Sequence, residues 1–164
     1  MENLWAPWRM VYVESFASKK DRGCFICSAV KARNMRKHLT LERTDDTVVL
    51  MNLYPYNPGH LLVAPRAHVP DMESLPDQTL TSLARSLKEW LRVVRLSLKP
   101  DGFNVGLNLG DEAGAGLPEH LHFHIVPRWR GDTNFMPTTA ATKVVPELLD
   151  KTYTKLSAAR RGTR

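Results

Sequence analysis

The sequence predicts an α+β domain, a small antiparallel sheet with helices packed on it. Three observations predict it. Several short β-branched or alternating apolar runs are bounded by proline, glycine and aspartate. A single long stretch repeats leucine at helical spacing, and the 164 residues carry the composition of an ordinary one-domain globule.

At 43% hydrophobic and 24% charged, the chain has a sizeable core and no apolar run near the ~20 residues that cross a bilayer. Met1-Glu2-Asn3-Leu4-Trp5-Ala6-Pro7-Trp8-Arg9 lacks the basic start and apolar stretch of a secretory signal, so a cytoplasmic location is expected. A net charge of +6 favours an anionic partner. The basic residues are scattered apart from Lys19-Lys20, Arg36-Lys37-His38 and the tail Arg160-Arg161-Gly162-Thr163-Arg164. None lies on a DNA-reading element, which ranks nucleic acid well below small phosphate ligands. The tail is expected to be a solvated end.

In chain order, an aromatic-rich lead-in from Leu4 to Val13 precedes a polar stretch, Ser15 to Gly23, and then Cys24-Phe25-Ile26-Cys27. Arg43-Thr44-Asp45-Asp46 reads as a turn into a strand over Thr47 to Leu53, whose aliphatic and β-branched residues suit a pleated sheet. Tyr54-Pro55-Tyr56-Asn57-Pro58-Gly59 is a loop, because its prolines and glycine break either ladder. A second strand follows over His60 to Pro65. Ser74-Leu75-Pro76-Asp77 fits a helix start with Ser74 as the capping residue. Leu80, Leu83, Leu87, Leu91, Val94 and Leu98 then mark one buried face of an amphipathic helix that Pro100-Asp101-Gly102 ends. Phe103 to Leu109 is a third strand, and Pro146 to Leu156 reads as a second helix.

Between them, Gly110-Asp111-Glu112-Ala113-Gly114-Ala115-Gly116-Leu117-Pro118 is a glycine-rich loop whose N–H groups can cradle phosphate oxygens. It feeds Glu119-His120-Leu121-His122-Phe123-His124-Ile125-Val126-Pro127, which holds three of the chain's six histidines at alternate positions. A strand has a side-chain period of two, so the imidazoles would share one face at roughly 7 Å steps while Leu121, Phe123 and Ile125 enter a core. A row of titratable nitrogens suits nucleophilic, acid–base or metal work near neutral pH. A single catalytic zinc held by all three is disfavoured, since the row spans about 14 Å and zinc bonds are about 2 Å.

Cys24-x-x-Cys27 holds the chain's only cysteines. In a cytoplasmic protein such a pair is metal-binding or redox-active more often than a structural disulfide. A zinc site would draw its other ligands from His38, His60, His68 and the row, and a redox pair would need a strand-helix context for which Ser28 to His38 is too basic and polar.

With the histidine row and the upstream Gly59-His60-Leu61-Leu62-Val63 segment, the chain resembles the histidine-triad family of nucleotide hydrolases and transferases over roughly Leu4 to Pro137. More narrowly, Leu4-Trp5-Ala6-Pro7-Trp8-Arg9-Met10, Asn52-Leu53-Tyr54-Pro55-Tyr56-Asn57-Pro58-Gly59-His60, Gly102-Phe103-Asn104-Val105-Gly106-Leu107-Asn108-Leu109-Gly110 and Val126-Pro127-Arg128-Trp129 are similar to the branch containing bacterial diadenosine tetraphosphate phosphorylases. The resemblance implies an antiparallel sheet of about five strands with a long amphipathic helix and a C-terminal helix. It implies one domain over residues 1–164, comprising an N-terminal segment 1–45, a catalytic core 46–137 and a C-terminal helix and basic tail 138–164. It also implies a homodimer.

By resemblance, His122 is the nucleophile that attacks the α-phosphorus of a nucleotide and forms a nucleotidyl-histidine. His124 and His60 contact the phosphates, and His120 completes the catalytic row. Asn52 lies where the family holds the ribose, Asn108 and the loop residues Gly114, Ala115 and Gly116 lie near the phosphates, and for Asn52 a turn-stabilising role is equally compatible with the sequence. A structural zinc is implied at Cys24, Cys27, His68 and His120, with no cofactor needed for the chemistry. The implied substrate is a nucleotide or a dinucleoside polyphosphate such as diadenosine tetraphosphate. One departure stands out: Leu109 to Glu119 contains no Ser or Thr, and Ala115-Gly116 stand where phosphorylase-like relatives show glycine and serine. Phosphate and water therefore both remain open as the second acceptor, and a nucleoside phosphoramidase and a zinc-stabilised nucleotide-binding module without turnover are the competing functions.

Overall fold

A computed structural model describes residues 23–132 and 147–163. Five strands form one antiparallel sheet: β1 (Thr40–Arg43), β2 (Thr47–Met51), β3 (Leu61–Pro65), β4 (Gly102–Leu107) and β5 (Phe123–Arg128), in the spatial order β1-β2-β3-β5-β4. The last strand thus sits between β3 and β4, with Leu61 opposite Ile125, Leu62 opposite His124 and Gly106 opposite His124 on the other side. Among the described residues three α-helices accompany the sheet: α1 (Phe25–Lys31), α2 (Asp77–Leu98) and α3 (Leu149–Gly162). None of the helices among the described residues is long and apolar enough to cross a membrane.

The alternation of each strand decides which face its residues supply. Val49, Met51, Leu61, Val63 and Ile125, together with Leu121, face α2 and pack on Leu83, Trp90, Val93 and Val94. The intervening Val48, Leu50, Leu62 and Ala64 face the other way and meet Ile26 and Ala29 of α1. β2 and β3 are buried on both faces, which is why they read as continuous aliphatic runs. Gly59 carries the chain into β3 with φ at +76°, and a Cβ there would stand 2.4 Å from the Leu98 side chain at the end of α2. The left-handed backbone and the close approach both call for glycine.

Several sequence expectations change. The histidine segment joins the ladder only at Phe123, so His120 and His122 precede the strand instead of lying in it. Pairing with β3 stops where Phe123 faces Val63, because the Leu121 N–H turns aside to the Val69 carbonyl at 2.7 Å. Helix α1 and strand β1 were not anticipated. The basic stretch after the cysteines is helical because Cys24 Sγ accepts the Cys27 N–H at the helix start (3.3 Å) and Ile26 and Ala29 bury one side. Ser74 does not cap α2. Its N–H donates to Asp71 Oδ1 at 3.0 Å, and Pro76 occupies the cap position with no side-chain cap bond. The buried line of α2 runs through Leu83, Trp90, Val93 and Val94, and the other predicted leucines flank it half-buried. The C-terminal helix starts at Leu149 and continues to Gly162, beyond the predicted end at Leu156. The expectations for Leu4 to Val13, for residues 15–22 and for Pro146 fall outside the described residues.

That longer helix corrects the view of the tail as a solvated end. Arg160 donates to Glu42 Oε1 at 2.7 Å and to Glu89 Oε2 at 2.5 Å, and its guanidinium carbon lies 5.8 Å from the Trp90 ring centre. Trp90 Nε1–H donates to the other oxygen of Glu42 at 2.8 Å. Glu42 is 5% exposed, so its carboxylate depends on these donors. Tyr153 Oη–H donates to the Thr40 carbonyl at 2.8 Å, giving α3 a second tie to β1. Arg160→Leu is expected to destabilise the fold by about 2–3 kcal/mol, below the roughly 3–5 of a fully buried pair because Glu89 keeps access to water. Thermal unfolding should shift down by about 5–10 °C, and adding Glu42→Gln should restore part of the loss. An unshifted melt would contradict this account.

Candidate active site and metal centre

Five of the six histidines form two groups, His68 with His120 and His60 with His122 and His124, and His38 stands apart in the turn before β1. His124 lies across from Leu62, whose side chain packs toward α1, so the His124 ring projects on that face. Leu121, Phe123 and Ile125 pack on the α2 side as expected, which leaves His120 and His122 on the same side as His124. The rings of His122 and His124 then meet edge to face with centres 5.0 Å apart.

Hydrogen bonds fix which nitrogen of each ring carries the proton. His122 Nδ1 is 2.8 Å from the His120 carbonyl oxygen. A carbonyl only accepts, so Nδ1–H is the donor and the lone pair of His122 sits on Nε2. His60 Nδ1 accepts the Tyr56 N–H at 3.1 Å, with the Asn52 amide nitrogen 3.4 Å away. In neutral His60 the proton is therefore on Nε2, which reaches His124 Nδ1 at 2.9 Å. His124 accepts there and carries its own proton on Nε2. The chain Tyr56 N–H, His60, His124 runs in one direction and ends on an imidazole donor. Burial lowers the pKa of His122, and burial with the neighbouring His122 brings His124 down to about 4. Near neutral pH both rings are uncharged, so the lone pair and the donor coexist.

The other expected site residues take supporting positions. Asn52 Oδ1 accepts the Tyr54 N–H at 2.9 Å, as a turn residue does. Asn108 donates to the Gly114 carbonyl at 3.3 Å and so holds the glycine loop. Gly110 and Gly114 have φ at +80° and +81°. The phosphate cradle is corrected at two positions, because the Gly114 N–H donates to Asp111 (2.9 Å) and the Ala115 N–H to Gly110 (3.2 Å). Short loop-closing turns consume those donors. Gly116 is half-buried and leads into the turn in which the His120 N–H meets the Leu117 carbonyl at 3.4 Å.

The first histidine of the row joins the cysteines. Ligand atoms of Cys24, Cys27, His68 and His120 all lie within 4.8 Å of one another. His120 Nδ1 is 3.2 Å from Cys24 Sγ, 3.5 Å from Cys27 Sγ and 3.2 Å from His68 Nδ1, and Cys27 Sγ is 3.3 Å from His68 Nδ1. Tetrahedral zinc with bonds of about 2.0–2.3 Å sets its ligands roughly 3.3–3.8 Å apart, so the donors stand close to that spacing. His120 Nε2–H donates to the Pro65 carbonyl at 2.9 Å, which turns the Nδ1 lone pair into the cluster. Both cysteines are free thiols. Two sulfurs and two imidazole nitrogens converging this closely can hold a metal ion.

A cavity of about 380 Å³ extends from His124 along β4 and β5, lined by Tyr56, Asn104, Gly106, Asn108 and Arg128 among others. His122 is 6% exposed and touches this space through its neighbour His124 rather than lining it. The sequence singled out neither Tyr56 nor the clamp around it. Asn57 donates to the Pro127 carbonyl (2.8 Å) and to Asp132 (2.7 Å), while Arg128 donates to Asp132 (2.6 Å) and Asn104 (2.7 Å). The available signal was the Arg128 to Asp132 spacing and the polar loop residue Asn57 between two prolines.

A family model described as "HIT domain" matches residues 33–131. AP-4-A phosphorylase of Mycobacterium tuberculosis is 40% identical over 157 residues, 93% of this chain and 80% of that protein. The bis(5'-nucleosyl)-tetraphosphatase [asymmetrical] of Schizosaccharomyces pombe is 36% identical over 90 residues, 55% of this chain and 49% of that protein. A zinc-bound histidine triad family protein from Mycobacterium smegmatis shares the fold, with a TM-score of 0.68 at 24% identity over 86% of this chain and 95% of that one. With its sheet, its histidine pair and this match across most of its length, the chain belongs to the HIT domain family.

Proposed function

We propose that this protein is a nucleotidyl-transferring enzyme of dinucleoside polyphosphates, with His122 as nucleophile. The observation that carries the proposal is the 2.8 Å bond from His122 Nδ1–H to the His120 carbonyl, which leaves the Nε2 lone pair as the reactive one beside a His60–His124 donor chain. Nε2 forms a bond to the α-phosphorus as the bond to the departing phosphate oxygen breaks, and the electron pair leaves with that oxygen. The His124 Nε2–H donates to it, the kind of interaction whose removal costs on the order of a hundredfold in rate. Diadenosine tetraphosphate would give ATP and an adenylyl-histidine, which inorganic phosphate resolves to ADP or water to AMP. The names of the Mycobacterium tuberculosis and Schizosaccharomyces pombe relatives support this substrate class.

Incubation with diadenosine tetraphosphate labelled at the α-phosphorus is expected to leave an acid-labile, base-stable label on His122. ADP should form with phosphate present and AMP without it. His122→Asn should lose at least about 10⁴-fold in kcat while still binding substrate. Full turnover by that variant would overturn the assignment.

The ion we propose for Cys24, Cys27, His68 and His120 is zinc, in a structural role: four protein donors close a tetrahedral shell and leave no position for substrate. It would tie the start of α1 to the segment before β5. A pair of reduced thiols also suits the cytoplasm. Purified protein is expected to hold one zinc per chain, and exhaustive chelation should lower the melting temperature by on the order of 5–10 °C. A zinc-free protein with an unchanged melt would exclude this role.

A homodimer is the assembly we propose, formed along β4. β4 is an edge strand, and Val105 on it, Leu96 on α2 and Leu109 just beyond it are 46%, 57% and 41% exposed. Light scattering should give twice the 18.6 kDa of one chain, and Val105→Lys should shift the population toward the single chain. A monomer at micromolar concentration would contradict it.

A further inference from the structure

The cavity lined by His124 extends past the atoms that form the nucleotidyl-histidine, and its position relative to them indicates what it holds. His124, Val126 and Arg128 alternate along one side of β5, and the His122 ring stands just before it, edge to face with His124, so the direction from His122 past His124 leads toward Arg128. Phosphoryl displacement places the attacking and leaving atoms roughly in line through phosphorus. With His122 attacking from one end and His124 donating on the far side, the departing group is directed along β5 into the cavity. His124 to Arg128 covers roughly 13 Å, four residues of strand, and the volume of about 380 Å³ falls within the size of small-ligand sites.

The walls suit a nucleoside. Tyr56 lies nearly parallel to His124, with planes 20° apart and centres 6.1 Å apart, and the residue is 45% exposed. An exposed ring anchored on one side presents its other face for stacking. Gly106, opposite His124, keeps the floor low, and a Cβ there would meet nothing within 4 Å. At the far end the Asn104 amide is oriented by Arg128 at 2.7 Å, and Arg128 is itself held by Asp132. Asn104 Oδ1 accepts from Arg128, which leaves the Nδ2–H donors for an acceptor nitrogen or oxygen on the edge of a base. Arg128 is already paired to a carboxylate, so the far end does not select for a terminal phosphate.

We infer that this cavity is a leaving-side nucleoside subsite, in which Tyr56 stacks on the base of the nucleotide that departs and Asn104 contacts that base's edge. The inference rests on the proposed reaction at His122. It predicts a preference for two-nucleoside over one-nucleoside substrates that depends on Tyr56 and Asn104.

The test compares diadenosine tetraphosphate with adenosine 5'-tetraphosphate, which has the same phosphates and one nucleoside. The native chain is expected to favour the dinucleotide in kcat/KM, and Tyr56→Leu should cut the ratio between the two substrates by on the order of tenfold, the scale of one base–aromatic stack. Tyr56→Phe should restore the ratio. Asn104→Ala should lower it further when combined with Tyr56→Leu. An equal loss on both substrates would show that Tyr56 acts only through His60 and His124, and it would overturn the subsite, as would an unchanged ratio. Calorimetric binding of both compounds in the His122→Asn background, with and without Tyr56→Leu, separates the two proposals. Discrimination there without turnover by the native chain would sink the reaction and keep the subsite. Turnover without any discrimination would keep the reaction and sink the subsite.

Discussion

The pairing of Leu62 with His124 across β3 and β5 is the constraint on which the site depends. Opposed residues in an antiparallel pair share a face. Leu62 packs under α1, so His124 must lie on the same side of the sheet, and Ile125 must enter the core under α2. A slip by one residue would bury His124 among leucines and expose Ile125. The hydrophobic effect on Leu121 and Ile125 therefore holds the register, and the register aims the imidazoles.

His120 joins the two groups of histidines through different atoms. Its ring faces Cys24, Cys27 and His68, while its carbonyl accepts the His122 Nδ1–H. Its own Nε2–H is tied to Pro65 at the end of β3. The peptide group that sets the His122 tautomer is thus held by the cluster on one side and by the sheet on the other. A 2.8 Å donor–acceptor bond tolerates little movement before it weakens, so loosening the cluster would act on the orientation of His122 as well as on the packing of α1.

Much of the sheet was legible because β2 and β3 are aliphatic and β-branched, and the His-apolar alternation can satisfy only one burial pattern. The metal cluster was reached through resemblance to a family, since spacing alone left His38, His60, His68 and the row as equal candidates for the cysteines. What stayed hidden depended on distant partners. Helix α1 is short and basic, and it exists because Ile26 and Ala29 find Val48 and Leu62 across the sheet. Arg160 looks like part of a charged tail until α3 brings it to Glu42, more than a hundred residues earlier. The glycine loop shows the opposite error: its composition suited a phosphate cradle, yet the Gly114 and Ala115 N–H groups close the loop on itself.

Burying His60, His120, His122 and His124 together is tolerable only because each ring finds a distinct partner. His120 and His60 are fully buried, and His122 nearly so. Charged imidazoles at such spacing would repel one another and lose hydration, and burial drives His120, His122 and His124 toward the neutral form. A neutral imidazole has one donor and one acceptor, so every bond it makes fixes the state of its other nitrogen. The Tyr56 N–H fixes His60, and His60 fixes His124. The backbone carbonyls of His120 and Pro65 fix His122 and His120 with the opposite result, a lone pair directed outward. One strand segment thereby presents a nucleophilic nitrogen at His122 and a donor at His124, two residues apart, from chemically identical side chains. The difference between them lies wholly in which backbone or ring atom each one meets.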